Sequence, residues 1–237
     1  MTARLSLLLL AVMLLLAGCI NPIVGIIGSN DTTTSEFDLD GFSEVSAASA
    51  FRVTITQGES FAVSVTANQN VMDDVRVDVR GVKLVLELTR TNYTNLDLSA
   101  EITMPELTAV EVSGASTVQF SGFGATDRFD AQASGASKVE GTLTANEAML
   151  EASGASTITL DGSADALNAR ASGASNLVLG ELAAATAVVE VSGASRADVN
   201  VSESLSVTAS GASSVRYAGA AEIDDLNVSG ASTVDKQ

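Results

Sequence analysis

From Ala109 onward the chain alternates apolar and polar residues in short runs that stop and restart around one four-residue unit, Ser-Gly-Ala-Ser. The unit begins at Ser113, Ser134, Ser153, Ser172, Ser192, Ser210 and Ser229, with successive starts 18 to 21 residues apart. Apolar positions fall two apart on both sides of it, which is the period of a strand and not of a helix. One inward column runs through Val110, Ala131, Leu150, Ala169, Val189, Val207 and Leu226, and a second through Val112, Ala133, Ala152, Ala171, Val191, Ala209 and Val228. Beyond the unit a third holds Val118, Val139, Ile158, Leu177, Ala197, Val215 and Val234, and a fourth Phe120, Gly141, Leu160, Leu179, Val199 and Tyr217. The positions between them are polar and form wet faces, among them the column Glu111, Gln132, Glu151, Arg170, Glu190, Thr208 and Asn227.

Each Ser-Gly-Ala-Ser unit therefore joins two alternating strands, and its glycine can take the positive φ that a corner needs without a Cβ clash. A period of about 19 residues is long enough for one closed coil of three short faces, each coil stacking on the next at about 4.8 Å. The expected fold is all-β: a single-stranded parallel β-helix, right-handed by the usual chirality of crossovers. A leucine-rich repeat has a similar period, but its leucine and asparagine spacing is absent.

The segment before the repeats is less regular. Phe37 to Ala100 is expected to form an N-terminal β-rich cap and a first coil, with Val45 to Val53 a worn copy of the repeat that lacks the glycine. Gln57-Gly58-Glu59 and Arg80-Gly81 read as turns between strands. A stacked array needs an atypical end unit to cover its apolar cross-section and its unpaired edge. The division expected is 1–18 a leader, 19–36 a flexible tether, and 37–237 one β-helix domain, of which 101–237 carries the Ser-Gly-Ala-Ser coils. The tether is inferred from Gly25, Gly28, Ser29 and the run Thr32 to Ser35.

Arg4 followed by the apolar stretch Leu5–Leu16 and the small residues Ala17-Gly18 has the layout of an export signal. Leu16-Ala17-Gly18-Cys19 resembles the lipobox of bacterial lipoproteins. That resemblance implies cleavage before Cys19, attachment of diacylglycerol to its thiol, and membrane anchoring by acyl chains. Residue 20 is Ile and not the Asp of an inner-membrane retention signal, so an outer-membrane or surface address is implied in a two-membrane host. An uncleaved membrane helix is the alternative, interrupted at Asn21-Pro22.

Taken together, the worn first coil, the Gln57-Gly58 turn and the Ser-Gly-Ala-Ser coils resemble the head GIN domain family of auto-transporter adhesins over about residues 37–234. The resemblance implies an exported β-helix and no catalytic residue. The composition agrees with export: Cys19 is the only cysteine, so no disulfide can form within the chain, and the core must hold itself. Only 4% of residues are aromatic, which suits thin coils. A formal charge of −17 argues against nucleic acid as a partner.

Candidate chemistry is sparse. With no histidine, the many serines lack the usual base, and Ser137-Lys138 is the nearest approach to a nucleophile pair. Asp73-Asp74 and Asp224-Asp225 have the chemistry for a weak calcium site, but they read better as solvated turns. No cofactor or metal is expected. Carboxylates two coils apart in the Glu111 to Glu190 column would lie roughly 9.5 Å from each other, close to the separation of an inverting glycosidase. Ion pairing with Arg170 explains that column more simply. Asn92-Tyr93-Thr94 and Asn227-Val228-Ser229 are glycan acceptors only in a host that glycosylates such sites. The expectation is a non-enzymatic, lipid-anchored envelope or surface protein that meets a protein or glycan partner. A polysaccharide-active enzyme and a purely structural envelope component are the alternatives.

Overall fold

The computed structural model describes residues 25–90 and 92–237. Cys19, the expected lipidation site, and the expected leader at 1–18 lie outside these residues. Among the described residues no helix is long and apolar enough to cross a membrane.

The fold is a stack of parallel β coils. The long strands Lys138–Ala152, Thr157–Ala171, Asn176–Val191 and Arg196–Ala209 each run almost from one Ser-Gly-Ala-Ser corner to the next. They pair in parallel, so that Leu150 lies over Ala169 and Val189 over Val207. The inward columns named above are buried from Val110 through Val207 and from Val118 through Val215. Gly141 is the one interruption with a steric cause: a Cβ there would come within 2.6 Å of the ring of Phe120, which occupies the space from the coil below.

Every corner glycine, Gly114 through Gly230, has positive φ, between 62° and 80°. The second reason for glycine is the stack itself. Ala155, Ala174, Ala194, Ala212 and Ala231 each donate their backbone N–H to the glycine oxygen one coil below, at 2.7–2.8 Å, so the hydrogen-bond ladder continues around the corner. A Cβ on Gly173 would lie 2.6 Å from that oxygen of Gly154. The glycine-free corner at Ala48–Ala50 manages with Ser49 and Ala50 both in the left-handed region, at φ 65° and 66°, where a side chain costs about 1–2 kcal/mol per residue.

Two expectations need correction. Val45–Val53 is the first coil in sequence but not in space. Glu44–Ala47 lies between Ala109–Val112 on one side and Lys83–Leu88 on the other, and Arg52–Gln57 lies between Thr117–Ser121 and Leu98–Met104. The chain thus makes its second layer first, then passes beneath it, because Leu84, Leu86, Ala100 and Ile102 supply the apolar base on which that coil packs. Antiparallel strands flank this base: Val75–Arg80 pairs with Lys83–Leu88 through the Gly81 turn, and Ala62–Asn68 pairs with Leu98–Met104.

The second correction concerns the tether, whose C-terminal part is structured. Thr32–Phe37 is a strand antiparallel to Ala62–Asn68, and Ile26–Ile27 pairs with Tyr93–Thr94. β-Branched threonines suit a pleated edge as well as they suit a flexible linker. What decides is a set of asparagines. Asn68, only 2% exposed, donates to the Ser29 carbonyl at 2.7 Å and accepts from the Asp97 N–H at 2.8 Å. Asn70 accepts from Ser29 N–H and donates to the Ile27 carbonyl, both at 2.8 Å.

Candidate functional site

The outward column singled out from the sequence forms one continuous stripe. Gln132, Glu151, Arg170, Glu190 and Thr208 occupy matching positions on successive strands. Glu151, Arg170, Glu190 and Thr208, with Ser172, Ser192 and Ser210, line an open groove of about 300 Å³. Its chemistry is ion pairing. Arg170 Nε donates to Glu190 Oε2 at 2.9 Å, and its Nη2 to Oε1 at 3.4 Å. This hydrogen bonding holds the Glu190 carboxyl below its ordinary value, against a smaller opposing effect of burial. A glycosidic general acid needs the reverse, a carboxyl held protonated by a raised pKa. Glu111, at the near end of the stripe, is engaged by Lys83 Nζ at 2.9 Å, which also lies 3.6 Å from Glu44.

The Ser137-Lys138 pair is divided between inside and outside. Ser137 is buried at the corner, and Lys138 is exposed with its Nζ 2.5 Å from Glu140 Oε1. That contact, with a hydrogen bond from Gln119, lowers the Glu140 carboxyl. Alternation along the strand explains the separation, since neighbouring residues face opposite sides.

The fourth-position serines, Ser116, Ser137, Ser156, Ser175, Ser195 and Ser213, form a buried ladder inside the corners. Most use backbone partners: Ser156 Oγ accepts from Ser137 N–H and Ser195 Oγ from Ser175 N–H, both at 3.2 Å, and Ser175 Oγ donates to the Ser172 carbonyl at 2.8 Å. One direct hydroxyl contact occurs, Ser213 to Ser232 at 3.1 Å. These serines are closed to any ligand.

One member of each aspartate pair is engaged. Asp74 takes hydrogen bonds from Tyr93 and Thr89 and lies 3.4 Å from Arg90. Burial first, and the Asp74 contact second, push the Tyr93 hydroxyl up to about 12. Asp224 accepts from Ser204. Among the described residues no three metal-ligating side chains converge. Asn92 and Asn227 are exposed.

Sequence reasoning missed the asparagine clamp and the state of the last coil. The clamp had a signal in Asn68-Gln69-Asn70 and in the two glycines at 25 and 28, which allow close backbone approach. The last coil had none, because Leu226, Val228 and Val234 continue their columns faultlessly.

The model of a family described as putative auto-transporter adhesin, head GIN domain, matches residues 41–221. Among solved structures, the fold is shared with a putative adhesin from Bacteroides fragilis at 22% identity and TM-score 0.84, covering 90% of this chain and 100% of that one. A putative lipid binding protein from Parabacteroides distasonis aligns at 16% identity and TM-score 0.71, covering 90% and 99%. A putative adhesin from Parabacteroides merdae aligns at 18% identity and TM-score 0.69, covering 90% and 98%. Among curated proteins none matches the chain.

Proposed function

Because the chain belongs to the head GIN domain family of putative auto-transporter adhesins, we propose that it is an exported, lipid-anchored module of the cell envelope or surface that binds a partner and catalyses nothing. The observation that carries this reading is the economy of the repeat. Strand and corner consume nearly every residue between Ser134 and Ala209, which leaves no loop to build a cleft. What the coils offer is a set of ion-paired outward faces, suited to contact over an area.

The anchor rests on Leu16-Ala17-Gly18-Cys19 after an apolar stretch. With Ile26 already paired to the body, residues 20–25 alone connect it to Cys19, a reach of at most roughly 25 Å. An acylated Cys19 would therefore hold the capped end against the lipid, with the corners of the later coils facing away. The test is metabolic labelling with palmitate. Wild type is expected to incorporate label and Cys19→Ser to incorporate none; equal incorporation refutes the anchor. Hydrolysis of any of a panel of plant, algal and host polysaccharides, abolished in Glu151→Gln, would refute the non-enzymatic part.

A further inference from the structure

Between Cys19 and the body lies a segment held differently from the coils. Ile26–Ile27 and Tyr93–Thr94 form a two-stranded sheet of their own, apart from the sheet that builds the stack. None of residues 25–31 belongs to the apolar core, and Ile27 is 67% exposed. What holds the segment is polar. Ile26 N–H donates to the Asn92 carbonyl at 2.8 Å, and Gly28 N–H to the Thr94 carbonyl at 2.9 Å. Asn70 bonds both the Ser29 N–H and the Ile27 carbonyl, Asn68 bonds the Ser29 carbonyl, and Asn95 adds a third amide that donates to the Gly28 carbonyl at 3.3 Å.

At its far end the segment meets a firmer join. Gln69 N–H donates to the Asp31 carbonyl at 2.8 Å, and from Thr32 the chain enters a six-residue antiparallel pairing with Ala62–Asn68. There Thr34 and Thr66 share a hydroxyl hydrogen bond at 2.7 Å, and Phe37 packs against the core. Within the segment the close fit depends on Gly28. A Cβ there would collide with the Asn95 carbonyl oxygen and lie 2.7 Å from the Asn68 side chain, so only glycine lets the backbone approach the asparagines this closely.

We infer that residues 25–31 are a releasable strap, which opens as one unit when Cys19 is pulled away from the body and leaves the stack folded. Local opening is easiest where few apolar contacts are lost, and the hydrogen bonds given up here are replaced by bonds to water. With the strap closed, residues 20–25 span at most roughly 25 Å; with it open, residues 20–31 span up to roughly 45 Å. An anchored body under load thereby gains reach before any coil is disturbed. The inference rests on the lipid anchor only for what does the pulling, since the opening is a property of the folded chain.

The test applies load to the full chain, purified unlipidated, through the thiol of Cys19 and a second thiol from Glu181→Cys, an exposed position within the stack. The first event expected is a reversible lengthening of at most about 20 Å, at lower force than any later one. Gly28→Ala should lack that step, because its strap is already open. Asn70→Ala, which removes two of the bonds without adding bulk, should lower the force at which the step occurs. Without load, the Ile26, Gly28 and Ser29 amides are expected to exchange slowly and with one common opening constant, and at least about tenfold faster in Gly28→Ala. The amides of Ala169 and Val189 in the stack should not change. The strap is refuted if the body unfolds in the first step, if Gly28→Ala keeps the step, or if the stack amides accelerate with those of the strap. Free exchange of the three amides in the unloaded wild type would refute it as well. Palmitate labelling bears on the anchor alone, so a low-force step in a chain that takes up no label would uphold the strap while the anchor falls.

Discussion

The two ends of the stack present the same cross-section of inward Val, Leu and Ala to opposite surroundings. At one end antiparallel strands, a hairpin and the Asn68 clamp enclose it; at the other Leu226 and Val228 meet solvent. A repeat stack is stabilised by its nearest-neighbour interfaces, so an end coil has half the support of an inner one. The same motif should therefore tolerate damage very differently according to its height in the stack.

The sharpest way to break this comparison is at the corners. Gly173→Val and Gly230→Val meet equivalent local obstacles: positive φ of 77° and 71°, and a glycine oxygen 2.6 and 2.5 Å from the new Cβ. Only Gly173 also has a coil above it, in which Gly193 and Ala194 sit directly on its carbonyl. Gly173→Val is expected to cost about 4 kcal/mol, from strain and overpacking together. Gly230→Val should cost half of that or less, since the outer coil can shift. Urea melts of both variants decide it, and equal losses would mean that the last coil is held as firmly as the fourth.

Core truncation asks the same question with milder chemistry. Leu205 is fully buried, and Leu205→Ala should cost about 3 kcal/mol. Leu226→Ala should cost under about 1 kcal/mol, because half of its side chain is already in water. A large loss at Leu226 in melts of the isolated protein would show that something already covers the open end.

At the capped end the corresponding weak point is polar. Asn68→Ala leaves the Ser29 carbonyl and the Asp97 N–H without their partner and should cost about 2 kcal/mol. Amide exchange should rise first at residues 26–31. If exchange there is already fast in the wild type, the clamp does not enclose the end.

Much of this architecture was legible because the periodicity is carried by buried residues. Val110, Leu150 and Val189 must face inward for the chain to fold at all, and the corner glycines announce themselves by recurrence. The stacking order was not legible. Alternation in Lys83–Leu88 and Leu98–Met104 says which side is inside, but it carries no information on which coil lies beneath. Thr32–Ser35 was misread for a related reason: a short threonine and serine run is compatible with linker and with edge strand, and the deciding partner, Asn68, is more than thirty residues away. Of the candidate chemistry, the pairing of Arg170 with Glu190 was legible, because the two fall in one outward column on neighbouring coils.

The smallest expected effect compares a paired inner carboxylate, Glu190, with an unpaired one on the last coil, Asp225. Arg170→Met would give an inner coil an acid without its cation, the condition that Asp225 meets at the top of the stack. Glu190 is held below its ordinary carboxyl value chiefly by the hydrogen bond from Arg170, so it binds its proton less readily folded than unfolded. Such a group stabilises the fold above the unfolded carboxylate value, about 4.3. That contribution is lost as pH falls through the lower folded value. Both side chains are nearly half exposed, and water and salt screen such pairs strongly, so the melting midpoint at pH 7 should scarcely move. The Glu190 titration itself should move upward in Arg170→Met when followed by carbon-detected NMR, and the acid limb of the stability profile should lose the step below pH 4.3 that Glu190 contributes in wild type. An unchanged titration would mean that the pair is not formed in solution.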